Sequence, residues 1–378
     1  MGRQWRSSIA AAALILGLAV FASSAAAGVL KWSRLGFLQG VAGRQPAVAA
    51  LAAHPTDPNI LYAGAWLTLP DAALVYRSGD GGETWQPAAG GLPTDLPANS
   101  GVADLVIDPA DPDVLYVALQ RHGVWRSDDG GQSWSNAGSG VLAEDEDVVA
   151  LAIAPGSPSV VYALSADGVH VLDGGAWKAK SRGLPARDIV YNDIAIDPTD
   201  ANTLYIATSP TGLYRTTNSG RQWRASNDNL PGANQNVREI TVTPSGEVFI
   251  SLRGVGLLRS DDKGSTWSPA GEGITYTTTL TGTVSAPVFD PADAGVAYAH
   301  NSDGVFRSAD GGATWSRFAD GLSVTAVVMD LAFAPAREHV VIAGTAASGV
   351  WAAYEHSVDP PDPPDPPARL LFMPMIRR

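Results

Sequence analysis

Ser78-Gly-Asp80-Gly-Gly82-Glu-Thr84-Trp85 decides the fold, because the chain repeats this phrase. It returns as Ser127-Asp-Asp129-Gly-Gly131-Gln-Ser133-Trp134, Thr216-Thr-Asn218-Ser-Gly220-Arg-Gln222-Trp223, Ser260-Asp-Asp262-Lys-Gly264-Ser-Thr266-Trp267 and Ser308-Ala-Asp310-Gly-Gly312-Ala-Thr314-Trp315. A sixth copy, Asp173-Gly-Gly175-Ala-Trp177, is one residue short. Working outward, an apolar pair stands just before each copy or its remnant, as in Leu74-Val-Tyr76, Leu213-Tyr214 and Val305-Phe306. Further out, an apolar alternation, a Pro turn and a second apolar run recur seven times, with the prolines at 55, 109, 155, 198, 244, 291 and 335. Their spacings of 43 to 54 residues match a four-stranded blade. Each unit reads strand, Pro turn, strand, loop, strand, box turn, Trp-led strand. The expected fold is all-β, a seven-bladed β-propeller.

The seventh unit lacks a fourth strand, since Pro-rich sequence follows soon after Trp351. An orphan strand, Leu30-Lys-Trp32-Ser-Arg34-Leu35, matches Trp315-Ser-Arg317-Phe318 and is expected to complete the last blade. Closure in this way removes two unpaired blade faces.

Every position of the box has a structural use. Gly permits a backbone conformation that Cβ disfavours. Asp and Ser/Thr side chains satisfy turn amides, and Trp buries a large apolar surface. Asp80, Trp85, Asp129, Trp134, Asn218, Trp223, Asp262, Trp267, Asp310 and Trp315 are therefore expected to be scaffold, with the preceding Arg77, Arg126, Arg215, Arg259 and Arg307.

The chain has 378 residues with 40 Gly, 27 Pro and 11 Trp, a turn-rich composition suited to an all-β protein. A formal net charge of −13 argues against nucleic acid or an anionic membrane surface as partner. With no cysteine, disulfides, thiolate nucleophiles and Cys-zinc sites are excluded. The six histidines show no metal-ligand spacing, and no cofactor is expected.

Arg3 and Arg6, the apolar run Ile9–Phe21 and the small residues Ala25-Ala26-Ala27 read as a secretory signal over 1–27. The propeller is assigned to 28–356 and a Pro-rich linker to 357–368. A short apolar and basic tail, 369–378, reads either as a docking tag or as a plain terminus. These assignments imply a secreted or cell-surface, periplasmic monomer without a membrane span in the mature chain.

The boxes resemble those of the BNR/Asp-box repeat superfamily, to which sialidases belong. The unit Asp-Pro-x-Asp-Pro-x-x-Leu-Tyr with Gly-Leu-Tyr-Arg-Ser/Thr is most similar to the Ycf48-like photosystem II assembly factors and the xyloglucan hydrolase propellers, over residues 30–354. The resemblance implies fold more than activity. Sialidases carry six blades and an Arg-Ile-Pro motif, whereas this chain has seven units and no such motif. Xyloglucan hydrolases place catalytic aspartates between two tandem propellers, and this chain has one. The assembly factors use an arginine-rich patch, and this chain is acidic. No family's site residues carry over.

Candidate ligand residues therefore come from position. Five residues before each turn Pro, at the channel rim, stand Ala50, Asp104, Ala150, Asp193, Glu239, Ala286 and Asp330. The four acids either hold a cation or act as acid and base, or else accept backbone amides from the neighbouring blade. Arg44, Arg121, Arg182, Arg187, Arg238 and Arg253 fall on loops assigned to the ligand face, with Tyr191, Tyr276 and Glu272. Convergent arginines suit a carboxylate ligand, and a Tyr–Glu pair suits sialidase-type chemistry. The ligand-binding set is thus Asp104, Asp193, Arg238, Glu239, Asp330, Arg121, Arg187 and Tyr191. The leading expectation is a non-catalytic module binding an extracellular protein or glycan, and the alternative is a glycoside hydrolase. A deep pocket joining arginines to a Tyr/Glu pair favours the enzyme. A shallow mouth lined by Asn, Thr and small residues favours the binder.

Overall fold

A computed structural model describes residues 31–354, apart from 37, 39–44, 67–72, 95, 97–100, 141–146, 157–158, 186, 233–234, 276–282, 324–325 and 335–339. The expected secretory signal, the Pro-rich linker, the tail, Arg44 and Tyr276 lie outside the described residues.

The described chain forms seven sheets around one axis, antiparallel except where Ser139–Gly140 adds in parallel to Ala176–Ala179, which is a seven-bladed β-propeller. The inner strands are Ala47–Ala53, Val102–Ile107, Val148–Ala154, Val190–Ile196, Val237–Val242, Val288–Phe289 and Val328–Phe333. Each is followed by a second strand, largely buried, such as Leu115–Leu119, reached through the Pro109 turn, or Val340–Thr345. Runs that are apolar throughout occupy these central positions because a blade packs against neighbours on both faces. Seven hydrophobic clusters result, one at each blade–blade interface.

The strand Trp32–Arg34 pairs antiparallel with Val350–Tyr354, joining the first described strand to the last blade. Trp32 fills the position of a box Trp although no box precedes it. Its indole donates to Phe318 O at 3.1 Å and its backbone N–H to Asp320 O at 2.8 Å, both in blade 6. The same cross-blade latch is made by Trp134 to Ala88 O (2.8 Å), Trp223 to Lys180 O (2.7 Å), Trp267 to Ser226 O (3.1 Å) and Trp315 to Ala270 O (2.8 Å). The closing strand thus repeats the contact made at four other blade boundaries, whereas Trp85 donates to Gly82 O of its own turn.

The turns behave as their chemistry requires. Ser127 Oγ donates to Asp129 Oδ1 at 2.8 Å and accepts the Gly131 N–H at 2.9 Å. Asp129 in turn accepts the Ser133 N–H at 2.9 Å and the Ser133 hydroxyl at 2.6 Å. These bonds hold the carboxyls of Asp129 and Asp310 down at about 2, with the Ser133 and Thr314 hydroxyls contributing most. The arginine before four of the five boxes lies over an aromatic ring of the second strand: Arg77 on Tyr62, Arg126 on Tyr116, Arg215 on Tyr205 and Arg259 on Phe249, at 5.8 to 6.0 Å. Box turns and Pro turns share one face of the ring, as the bond from Gly130 N–H to Asp113 O shows (2.9 Å).

The sixth, shortened copy departs from the others. Gly174 and Gly175, at φ +64° and +77°, form a two-residue hairpin turn between Gly168–Asp173 and Ala176–Ala179. Trp177 is buried all the same. A tight Gly-Gly turn needs no Asp to satisfy its amides, which explains how this blade loses its box and keeps its outer strand.

Candidate functional site

The inner strands of blades 1 to 5 and 7 each carry a bulge near their start, between Val102 and Asp104 for instance. A bulge turns two consecutive side chains toward the axis and frees the next backbone N–H from its ladder. That next residue is Leu51, Leu105, Leu151, Ile194, Ile240 or Leu331. Its N–H points into a low-dielectric ring interior and needs an acceptor.

The four carboxylates supply the acceptors. Asp104 takes Leu105 N–H of its own blade and Leu151 N–H of the next, both at 2.7 Å. Asp193 takes Ile194 (2.7 Å) and Ile240 (2.8 Å), and Asp330 takes Leu331 (2.8 Å) and Leu51 (2.7 Å). Three aspartates thereby serve blades 2 and 3, 4 and 5, and 7 and 1. Seven is odd, so blade 6 remains, and Glu239 reaches its Ala286 N–H at 2.8 Å. The target there is one residue early because Pro287, at the usual place, has no N–H. The extra methylene of Glu covers the added distance. Ala50, Ala150 and Ala286 need no acid, since the carboxylates of adjacent blades already satisfy the amides there.

Burial of this ring of acids disfavours their charged form. Asp104 is pushed up to about 6 and Asp330 to about 7, Asp193 is raised well above the usual range, and Glu239 is raised. Desolvation is the largest cause in each, opposed by the amide bonds. By surface area the aspartates are half-buried and Glu239 is exposed, because the channel admits water. Depth within the ring still removes most bulk solvent around them. His300, which also lines the channel, is pushed down to about 4 by burial.

The channel mouth is a cavity of about 270 Å³. Between the acids it is lined by Ala49, Ala103, Val149, Asn192, Ser285 and Met329, most of them small. Asn192 is fixed by bonds to Ser209 Oγ (2.9 Å) and Val237 O (2.6 Å). Among the described residues no three His, Asp or Glu side chains are arranged to cage a metal ion.

The remaining sequence candidates do not converge. Arg121, at φ +60°, is exposed on the blade 2 loop after Leu115–Leu119, and Arg187, Arg238 and Arg253 are exposed around blades 4 and 5. Arg238 adjoins Glu239 but does not line the cavity. Arg182 lies at the outer edge, where its carbonyl accepts Trp223 N–H at 2.9 Å. Tyr191 is buried in the cluster between blades 3 and 4. Glu272 bridges to Thr314 beside the blade 6 box, away from the mouth. Position-by-position reading missed the exposed apolar residues of the mouth face, Val190 (60%), Val327 (55%) and Met329 (40%). Val190 and Val327 occupy equivalent places, three residues before Asp193 and Asp330, and that equivalence was available in the repeat alignment.

Comparison with known proteins gives a fold and no family. No family model matches the chain, and no curated protein matches it. Among solved structures it is similar to a GH74 xyloglucanase from Xanthomonas campestris, at 19% identity and a TM-score of 0.64 over 85% of this chain and 53% of that one. The chain therefore spans about half of that enzyme. YCF48 bound to a D1 peptide is similar at 16% identity and a TM-score of 0.62, over 86% of this chain and 97% of that one. The extracellular domain of the hybrid two-component system BT3049 from B. thetaiotaomicron is similar at 15% identity and 0.61, over 86% of this chain and 42% of that one. At these identities the likeness speaks for the propeller alone.

Proposed function

We propose that this chain is an exported, non-catalytic binding propeller of the Asp-box type, which takes a protein or glycan on the face carrying the channel mouth. The observation that carries this reading is the employment of the axial acids. The carboxylates of Asp104, Asp193 and Asp330 each use both oxygens on blade amides, and Glu239 is tied to Ala286. An acid–base pair for glycoside hydrolysis needs carboxyl groups free to face substrate. The mouth, lined largely by small residues and Asn192, supports the same view, as do Val190, Val327 and Met329, which offer apolar contact area around it. Arg187, Arg238 and Arg253 add polar anchors on that face. A propeller that nearly spans YCF48, which is bound to a peptide, supports a protein partner. Arg3, Arg6 and the Ile9–Phe21 run support export, as does the likeness to extracellular propeller domains.

The test uses purified protein from Gly28 onward on a fluorogenic glycoside panel that includes a sialoside, followed by a glycan array and a cell-surface pull-down. No turnover is expected, with retention of a partner that Met329→Asp and Arg238→Glu abolish and the outer-edge variant Lys178→Glu leaves intact. Turnover lost in Arg238→Ala or Glu239→Ala would overturn the reading in favour of a glycoside hydrolase.

A further inference from the structure

A second cavity, of about 410 Å³, opens on the box-turn face between blades 4 and 5. Arg215, Asn218, Gln222, Arg224, Ser226 and Ser265 line it, together with the single carboxylate Asp228. Arg215 and Arg224 are direct cross-strand partners. Like charges set opposite each other on adjacent strands repel. The equivalent pairs elsewhere avoid this: Arg77 faces Gln86, Arg126 faces Ser135, Arg259 faces Ser268 and Arg307 faces Ser316.

Blade 4 also lacks the acids that pair with the arginine before the box in blades 2 and 5. Arg126 pairs with Asp128, and Arg259 pairs with Asp261 and Glu247. The residue equivalent to Asp128 and Asp261 is Thr217, and the box Asp of the other four copies is Asn218. Among the described residues neither Arg215 nor Arg224 forms an ion pair. Arg215 Nε is buried without a hydrogen-bond partner, as are the Nε atoms of Arg77 and Arg126, so what sets blade 4 apart is the facing Arg224. Asn218 Oδ1 still accepts Thr216 Oγ1 at 2.8 Å and Gln222 N–H at 2.9 Å, as a box Asp does. In the sibling boxes a hydroxyl at the position of Gln222 donates to the second Asp oxygen. Gln222 instead turns its amide to Trp223 O at 3.1 Å, leaving Asn218 Nδ2 as a donor on the cavity wall.

We propose that this cavity is an oxyanion-binding site, independent of the channel mouth, in which Arg215 and Arg224 clamp a carboxylate, sulfate or phosphate group and Asn218 donates to it. Two guanidiniums with a neutral amide match the planar, multidentate recognition of such groups. The bound anion relieves the Arg–Arg repulsion, which explains why this one blade keeps a pairing that four others avoid. Ser226 and Ser265, whose hydroxyls donate to Gly264 O and Asp262 O, keep oxygen lone pairs that can accept from a polar carrier such as an acidic sugar.

The experiment follows arginine Nε–H resonances of the whole protein during titration with sodium sulfate, sodium phosphate or sodium glucuronate, with chloride holding ionic strength constant. Saturable shifts of Arg215 and Arg224 are expected with at least one of the three, and the responding anion identifies the group. Arg224→Ser and Asn218→Asp, which install residues that sibling blades carry, are expected to weaken binding about tenfold or more. Arg224→Ser is also expected to raise the melting temperature in anion-free buffer, by relief of repulsion. Equal responses in wild type and both variants, or no saturable shift with any anion, would overturn the proposal.

Discussion

Glu239 Oε2 accepts the backbone N–H of Ala286 at 2.8 Å, one residue ahead of a proline that cannot donate. This bond completes a ring in which four carboxylates satisfy seven blade amides. It also accounts for the one glutamate among three aspartates, since the acceptor had to reach further. Glu239→Asp is expected to strand the amide and cost about 1–3 kcal/mol in urea unfolding. Pro287→Leu restores a donor at the usual place, so the double variant is expected to recover part of that loss. Additive effects of the two changes would rule out the coupling.

The ring of acids also sets a pH dependence. Asp104 titrates near 6 and Asp330 near 7 in the fold, above ordinary aspartate values. A raised acid binds its proton in the folded chain after the unfolded chain has released it. Stability therefore falls as pH rises from about 4 to about 7, the window between ordinary and folded values. His300, held near 4, and His170, also lowered by burial, work in the opposite direction below the ordinary histidine value of about 6.5, as two groups against four. Below about 4 the box aspartates Asp129, Asp262 and Asp310, held near 2, begin to lose their turn bonds and stability drops again. Urea midpoints measured from pH 3 to 8 are expected to peak in mild acid. Asp330→Asn is expected to flatten the limb between pH 6 and 7.5, and an unchanged limb would assign it to other groups.

Trp32 closes the ring through a latch that five blade boundaries share. Its side chain is buried among Tyr298, Phe318 and Val341. Trp32→Ala is expected to cost about 3–5 kcal/mol. It is also expected to loosen blade 7 preferentially, seen as faster amide exchange across Val340–Thr345 and Val350–Tyr354. Uniform loss of protection around the ring would show that closure is not local.

Gly64 lies where a strand of blade 1 closely approaches blade 2. A Cβ there would lie 2.5 Å from Val102 Cγ1, while blade 3 carries Leu164 at the same register position. Gly64→Leu is expected to destabilise by about 1–3 kcal/mol through overpacking, read from the thermal midpoint. A neutral effect would mean that the interface has room the static structure does not display.

Much of the architecture was legible along the chain. The repeat period, the Pro turns, the box chemistry and the Trp32 strand are local signals, carried by alternation of apolar residues and by turns whose amides their own side chains satisfy. They led from the sequence alone to seven blades and a shared last blade. The repeat also located the four acids five residues before each proline. It left open whether they would meet a ligand or the backbone, because their partners lie 47 residues away in the next blade for Asp104, Asp193 and Glu239, and 279 away across the closure for Asp330. Only the closed ring brings those amides to the carboxylates. The same holds for Tyr191, which reads as a surface residue by position and is buried because blade 3 packs over it. It holds also for Arg215 and Arg224, unremarkable nine residues apart, which cross-strand register sets face to face. Local chemistry fixed the blades, and the convergence of side chains from separate strands was settled by how those blades close.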